Sequence, residues 1–267
     1  AQCVNHVIAQ SVNYVTLDSI AAPMRDKFVQ INRFLEIVRD AINEDGYLER
    51  KNAEPLRIID FGCGKSYLTF VLYHYLVNIL GIRVNMTGLD LKADVIAKCS
   101  AAAKRYGYDS LKFERGDIAE YDANAPADMV VTLHACDTAT DYALHNAVCR
   151  GARMILSVPC CQHELNGQIA TDRLKLITRY GIIKERFAAL MTDAIRANLL
   201  ESRGYKTQVL EFVDLSHTPK NLLIRAIKKR PALDNAGRIA LDEAKALMEE
   251  FSLEPTLYSL LYPHSAD

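Results

Sequence analysis

Two short stretches concentrate reactive side chains: Leu133-His-Ala-Cys-Asp137 and Pro159-Cys-Cys-Gln-His163, each following an apolar run. His134, Cys136, Asp137, Cys160, Cys161 and His163 thereby form one candidate polar cluster. Thiols and imidazoles of this kind support three chemistries. Zinc takes such ligands in a tetrahedral set, usually with cysteines spaced by about two to four residues. Here Cys160 and Cys161 are adjacent, so metal is placed last and no metal site is expected. A thiolate nucleophile, Cys136 or Cys160, adding to a nucleobase is the second chemistry. The favoured one is a shaped pocket for direct transfer of a group to a hydroxyl or nitrogen. Such transfer needs in-line placement within about 3–3.5 Å and a route for one proton. His134 or His163 then serves as base or orients the nucleophile, Lys65 polarises a hydroxyl or meets a phosphate, and the cysteines pack softly around the substrate.

These stretches need a scaffold that brings two strand ends together. From Leu56 onward, LRIIDF, IRVNMTGLD, LKFERGD, ADMVVTLHA and ARMILSVP read as strands. Between them, apolar residues recur at helical spacing, as in Leu68, Val71-Leu72, Tyr75-Leu76 and Ile79, then over Lys92–Tyr106 and Thr138–Val148. Strands alternating with helices imply βαβ units and a doubly wound sheet. Helices follow near Ile169–Tyr180 and Ile183–Ser202; YKTQVLEFVD and NLLIRAIKK then read as antiparallel strands joined by LSHTPK. The expected fold is α/β, Rossmann-like, with a mostly parallel seven-stranded sheet, a C-terminal antiparallel strand pair and an N-terminal helical extension. The expected division is a helical extension over residues 1–50, with its helix from Met24 to about Asn43, a main domain over 51–230 and a helical tail over 231–267.

The strongest single signal is Ile58-Ile-Asp-Phe-Gly-Cys-Gly-Lys-Ser66, a strand entering a glycine turn that opens a helix. Gly62 and Gly64 allow positive φ and close approach of a ligand to backbone, and the helix start offers free N–H groups. The third glycine of a dinucleotide fingerprint is missing. Asp60 precedes the turn, Asp90 ends the next strand and Asp117 follows the third. Carboxylates along this edge accept from ribose hydroxyls and an adenine amino group, and negative surroundings favour a sulfonium. The arrangement predicts S-adenosylmethionine as cofactor.

DFGCGKSYLTF, GLD and GDI resemble the class I S-adenosylmethionine-dependent methyltransferases. More narrowly, DFGCGKSYL, VTLHACDTATDYAL, VPCCQHEL and HTPKNLLIRA resemble a branch that includes the Trm13-type tRNA 2′-O-methyltransferases and the METTL25-like proteins. This resemblance covers about Met24 to Lys229. It implies that Asp60, Gly62 and Gly64 hold the methionine portion, with Ser66 as the third small residue of the turn. Asp90 would hold the ribose, Asp117 with Ile118 the adenine, and His134 would border the cofactor. The N-terminal zinc-binding modules of the eukaryotic tRNA enzymes are not found in the sequence.

The chain has 267 residues and a formal net charge of -1, which argues against a uniformly basic nucleic-acid coat. From Arg150 to Arg230, however, 15 Lys/Arg face 7 Asp/Glu, which permits a polyanion-binding face. Arg196, with Arg203 and Lys206, is expected on a basic surface facing a phosphodiester backbone. Lys220 and Asn221 are expected at a phosphate or base, and Cys161 at the substrate. RNA is therefore the expected partner, and a small-molecule acceptor and a non-catalytic binding domain are the alternatives. No apolar run approaches the roughly 20 residues that span a bilayer, and AQCVNHVIAQ lacks a signal-peptide layout. Seven cysteines, an odd number, suit reduced thiols and a cytoplasmic location better than a disulfide framework.

Overall fold

Which helix covers which face follows from period-two alternation along the strands. A computed structural model describes residues 22–50, 54–121, 125–133, 135–170, 174–211 and 222–263, the first seven by backbone alone. The elements are α1 (Ala22–Asp45), β1 (Leu56–Phe61), α2 (Tyr67–His74), β2 (Val84–Asp90), α3 (Ala93–Tyr106), β3 (Leu111–Arg115) and β4 (Met129–Thr132). They continue with α4 (Thr138–Cys149), β5 (Met154–Ser157), α5 (His163–Gln168), α6 (Lys175–Thr178) and α7 (Gly181–Ser202). The chain then forms β6 (Tyr205–Glu211), β7 (Leu222–Lys228), α8 (Asn235–Phe251) and α9 (Thr256–Leu261). The sheet has seven strands in the order β3-β2-β1-β4-β5-β7-β6. Strands β1 to β5 are parallel, and β7 runs against both β5 and β6.

Ile58, Met86, Met129, Val131, Met154, Leu156 and Ile227 point into one core with Phe34, Val38 and Ile42 of α1 and with Phe70 and Leu72 of α2. The intervening Ile59, Phe61, Val130, Ile155, Ile224 and Ala226 point into the other core, against Leu144 of α4, Ile195 and Leu199 of α7, Leu241 of α8 and Leu257 of α9. Both terminal helical regions thus bury residues in the cores that flank the sheet. The acidic end of α1 is also tied down by charge. Glu44 meets Arg225 at 2.8 Å and Lys206 at 3.0 Å, and Asp45 meets Arg153 at 3.1 Å. Three cations of the basic stretch after Arg150 are engaged here.

One predicted helix is shorter than its apolar spacing suggested. Over 169–180 the described helix is the single turn α6; Leu176 within it is 69 % exposed, so no core face extends it, and residues 171–173 lie outside the described ones. The connection LSHTPK also lies outside them. No helix among the described residues is long and apolar enough to cross a membrane.

Candidate active site

Topology places the carboxyl ends of β1 to β5 on one edge, and the strand order reverses direction between β1 and β4, where open α/β sheets bind ligands. After β1 the chain turns through Gly62 at φ 70 and Gly64 at φ 51, conformations that favour glycine. The amides of Gly62 and Cys63 donate to the Leu89 carbonyl at 2.9 and 3.0 Å. Asp90 then fastens the turn: its Oδ2 accepts from Gly64 N at 2.9 Å and its Oδ1 from Lys92 N at 3.0 Å.

A cavity of about 500 Å³ opens on this edge. Gly62, Asp90, Leu91 and Lys92 line it from the first two strand ends, and Gly116, Asp117, Ile118 and Ala119 from the third. Ala135, Cys136, Thr138, Ala139 and Tyr142 close it from the loop after β4 and the first turns of α4. The Ile118 carbonyl accepts from Asn146 Nδ2 at 3.0 Å, which ties the β3 loop to α4. Sequence reasoning missed Leu91, Lys92, Tyr142 and the small residues; their one signal is position, directly after a strand end or one turn into the following helix.

Three residues expected at the cofactor are outside the cavity lining: Gly64, whose amide donates to Asp90, and Asp60 and Ser66, which lie beneath the turn. Asp60 is 4 % exposed and accepts from Thr69 Oγ1 at 2.6 Å. Burial pushes its carboxyl up to about 7, with Thr69 pulling down and the nearby Asp90 pushing up. Ser66 is 2 % exposed, donates to the Gly64 carbonyl at 3.2 Å and accepts from Cys99 Sγ at 3.3 Å. Both shape the turn from behind and do not line the cavity. Lys65 is exposed at the tip of the turn, outside the cavity lining.

The facing loops after β4 and β5 meet as the sequence implied, through backbone as much as through side chains. Asp137 Oδ1 accepts from the amides of His163 and Glu164 at 2.8 and 3.1 Å, and Asp137 N donates to the Cys161 carbonyl at 3.2 Å. Asp137 is therefore a clasp between loops, and the side chain of His163 is exposed. The clasp brings Cys136, Cys160 and Cys161 together, with all three sulfurs within 4.8 Å of one another and Cys136 Sγ 3.2 Å from Cys160 Sγ. Burial, then the Cys136 and Cys161 thiols, push Cys160 up to about 12. Near neutrality it is protonated, which counts against Cys160 as a nucleophile on its own.

Arg196 departs furthest from expectation. It is 2 % exposed, far from a basic surface. Its Nε and Nη2 donate to the two Asp141 carboxylate oxygens at 2.9 and 2.6 Å, and its Nη1 donates to Asp193 at 3.2 Å. Nη2 also donates to the Asp137 carbonyl at 3.0 Å, so the guanidinium braces the clasp. Asp193 in turn accepts from Gln162 Nε2 at 3.0 Å, which holds the β5 loop. The reason is compensation: two buried carboxylates need a cation, and α7 presents one. His134, Lys220 and Asn221 lie outside the described residues.

Residues 26–168, just over half of the chain, match a family model described as a methyltransferase domain. The chain belongs to that family. Among solved structures, the domain is similar to the citrinin polyketide synthase CMeT domain, with 18 % identity, TM-score 0.46, and coverage of 79 % of this chain and 58 % of that one. It is also similar to magnesium protoporphyrin IX methyltransferase ChlM from Synechocystis PCC 6803 with bound SAM, at 14 % identity, TM-score 0.45, and 84 % and 91 % coverage. A third likeness is to the plantazolicin methyltransferase BpumL in complex with SAH, at 15 % identity, TM-score 0.45, and 85 % and 96 % coverage. No curated protein matches the chain.

Proposed function

We propose that this methyltransferase domain binds S-adenosylmethionine in the 500 Å³ cavity and passes its methyl group directly to an acceptor at the lip formed by the loops after β4 and β5. The cavity carries the reading, because its donor set fits the cofactor. Its volume lies in the range of small-molecule sites, about 300–1,000 Å³. Asp90 and Asp117 place carboxylates at neighbouring strand ends, suited to ribose hydroxyls and an adenine amino group. Leu91 and Ile118 supply apolar walls beside them, and Gly62 lets the methionine portion approach backbone. Two carboxylates against one cation, Lys92, leave the lining net negative, which also suits a sulfonium.

When bound, the cofactor supplies an electrophilic methyl group. The chain's own part is positioning: Asp90 holds the glycine turn against the β2 end, and the Asp137 clasp fixes the acceptor-side loop that carries Cys136. Direct transfer relies on such placement more than on a strong base.

RNA is the acceptor we favour, at a ribose 2′-hydroxyl, in keeping with the Trm13-type resemblance of the LHAC and PCCQH stretches. Buried Arg196 gives that reading no support. Support comes from the segment that follows the β5 loop, where Lys175, Arg179 and Arg186 are exposed and the Arg179 guanidinium lies 4.6 Å from the Tyr180 ring centre. Exposed cations with a stacking aromatic suit a phosphate backbone and unpaired bases. Calorimetry with S-adenosylhomocysteine tests the cofactor, and absence of binding to the folded chain refutes methyl transfer. Methyl labelling of total RNA from cells lacking the protein, followed by nucleoside analysis, tests the acceptor. A labelled base in place of a labelled ribose overturns the 2′-hydroxyl, and no labelled RNA overturns the acceptor class.

A further inference from the structure

We propose that Cys136, Cys160 and Cys161 form a three-thiolate zinc site on the acceptor side of the cavity. Their sulfurs lie within 4.8 Å of one another, drawn from two loops that are separated by 24 residues in sequence. Zinc–thiolate bonds of about 2.3 Å in a tetrahedron set sulfur atoms roughly 3.8 Å apart. The 3.2 Å separation of Cys136 and Cys160 and the 4.8 Å limit for the group bracket that spacing, so small side-chain rotations suffice. An all-sulfur donor set selects a thiophilic ion over magnesium or calcium.

The group is also held in place independently of any ion. Asp137, next to Cys136, accepts from the amides of His163 and Glu164 and donates its own amide to the Cys161 carbonyl. Arg196 fixes the Asp137 carbonyl from below, and Asp193 fixes Gln162 beside Cys161. Such outer contacts are what orient ligands in metal sites. A disulfide is the competing use of these thiols, yet it joins two sulfurs about 2.05 Å apart and leaves the third unexplained. Binding exchanges three S–H protons, released to solvent, for three zinc–sulfur bonds.

Among the described residues, no further His, Cys, Asp or Glu ligand atom joins the group. Cys136 lines the cavity, so the site lies on the acceptor's side. This last point rests on the methyl-transfer reading; the binding of zinc does not.

The experiment is metal analysis of the full chain purified under reducing conditions without chelator and then offered zinc. The expected result is about one zinc per chain, falling to about a tenth in Cys160→Ser or Cys161→Ser and unchanged in Cys149→Ser. Because a serine variant can fail to fold, the wild-type chain is also alkylated with and without a chelator. Peptides carrying Cys136, Cys160 and Cys161 should be protected until the chelator is added. Equal labelling with and without chelator, zinc content unchanged in both serine variants, or an intact mass two hydrogens light overturns the site. Calorimetry with S-adenosylhomocysteine on the same sample separates the two proposals. Zinc without cofactor-product binding leaves the metal site standing and removes methyl transfer; the reverse removes the metal site alone.

Discussion

Replacing Arg196 with methionine tests whether the buried ionic network holds the two site loops together. The side chain makes two contacts with Asp141, at 2.9 and 2.6 Å, one with Asp193 at 3.2 Å and one with the Asp137 carbonyl at 3.0 Å. Methionine keeps much of the volume and leaves two buried carboxylates without their cation. Breaking a buried pair from one side costs about 3–5 kcal/mol. At about 2–4 °C per kcal/mol for a chain of this size, the melting temperature should fall by roughly 6–20 °C. The loss has a pH signature. Burial already pushes Asp193 up to about 6, with Arg196 pulling the other way. Without Arg196 the carboxyl titrates higher still. A folded-state value above the unfolded one means that the native state holds the extra proton, so stability rises as pH falls through that window. The penalty of Arg196→Met should therefore be largest near about pH 8 and shrink toward about pH 5, read from urea midpoints followed by circular dichroism. A penalty under about 1 kcal/mol at the higher pH, or one that grows on acidification, would refute the bracing role.

Asp60→Asn should remove a fall in wild-type stability between about pH 4 and pH 7. Burial holds the native carboxyl near 7 against about 4 when unfolded, so ionisation costs up to about 4 kcal/mol of stability on the alkaline side; urea titrations across that range check it. Gly88→Ala should destabilise by about 1–3 kcal/mol, because a β-carbon there would sit 2.7 Å from the Phe113 ring and 3.2 Å from Cys63 Sγ; thermal melts measure it. Asp117→Ala should weaken S-adenosylhomocysteine binding by about tenfold or more, the worth of a charged hydrogen bond, with little change in melting temperature; calorimetry reads the first and a melt the second.

Strands and their order were legible because each run carries its own alternation, and alternation decides which side chains face which helix layer. The positions of Gly62, Asp90, Asp117 and Ile118 along the cavity were legible for the same reason, since they sit at or just past strand ends. Side chains whose meaning depends on distant partners were not. Arg196 looked like a surface cation because Asp141 lies 55 residues away. The missed signal was Asp141 itself, an acidic residue among Thr140, Ala143 and Leu144 on the buried face of α4. Part of the basic excess is likewise taken up by distant partners: Glu44 and Asp45 of α1 engage Arg225, Lys206 and Arg153, and nothing local announces that pairing. Asp60 and Ser66 belong to the turn as read, and their burial beneath it was not legible, because a tight turn has an inside and an outside that sequence does not distinguish.

Asp137 shows how the site and the fold constrain one another. Its backbone sits at φ 52 and ψ -125, a region where a residue other than glycine costs about 1–3 kcal/mol. Glycine would relieve that strain and lose the carboxylate that accepts from His163 N and Glu164 N. Asparagine would keep an oxygen able to accept from both amides but without the charge, and a side chain with no acceptor would keep the strain and lose the clasp. Aspartate thus meets both demands of this position with charge-assisted bonds, a backbone reversal directly after Cys136 and an acceptor for the amides that open α5. The clasp accompanies the approach of Cys136, which lines the cavity, to Cys160 and Cys161 of the facing loop. Stability alone would be served as well by a longer, relaxed connection between β4 and α4. A strained clasp under three converging thiols is instead what the proposed zinc site would require to keep its ligands in place.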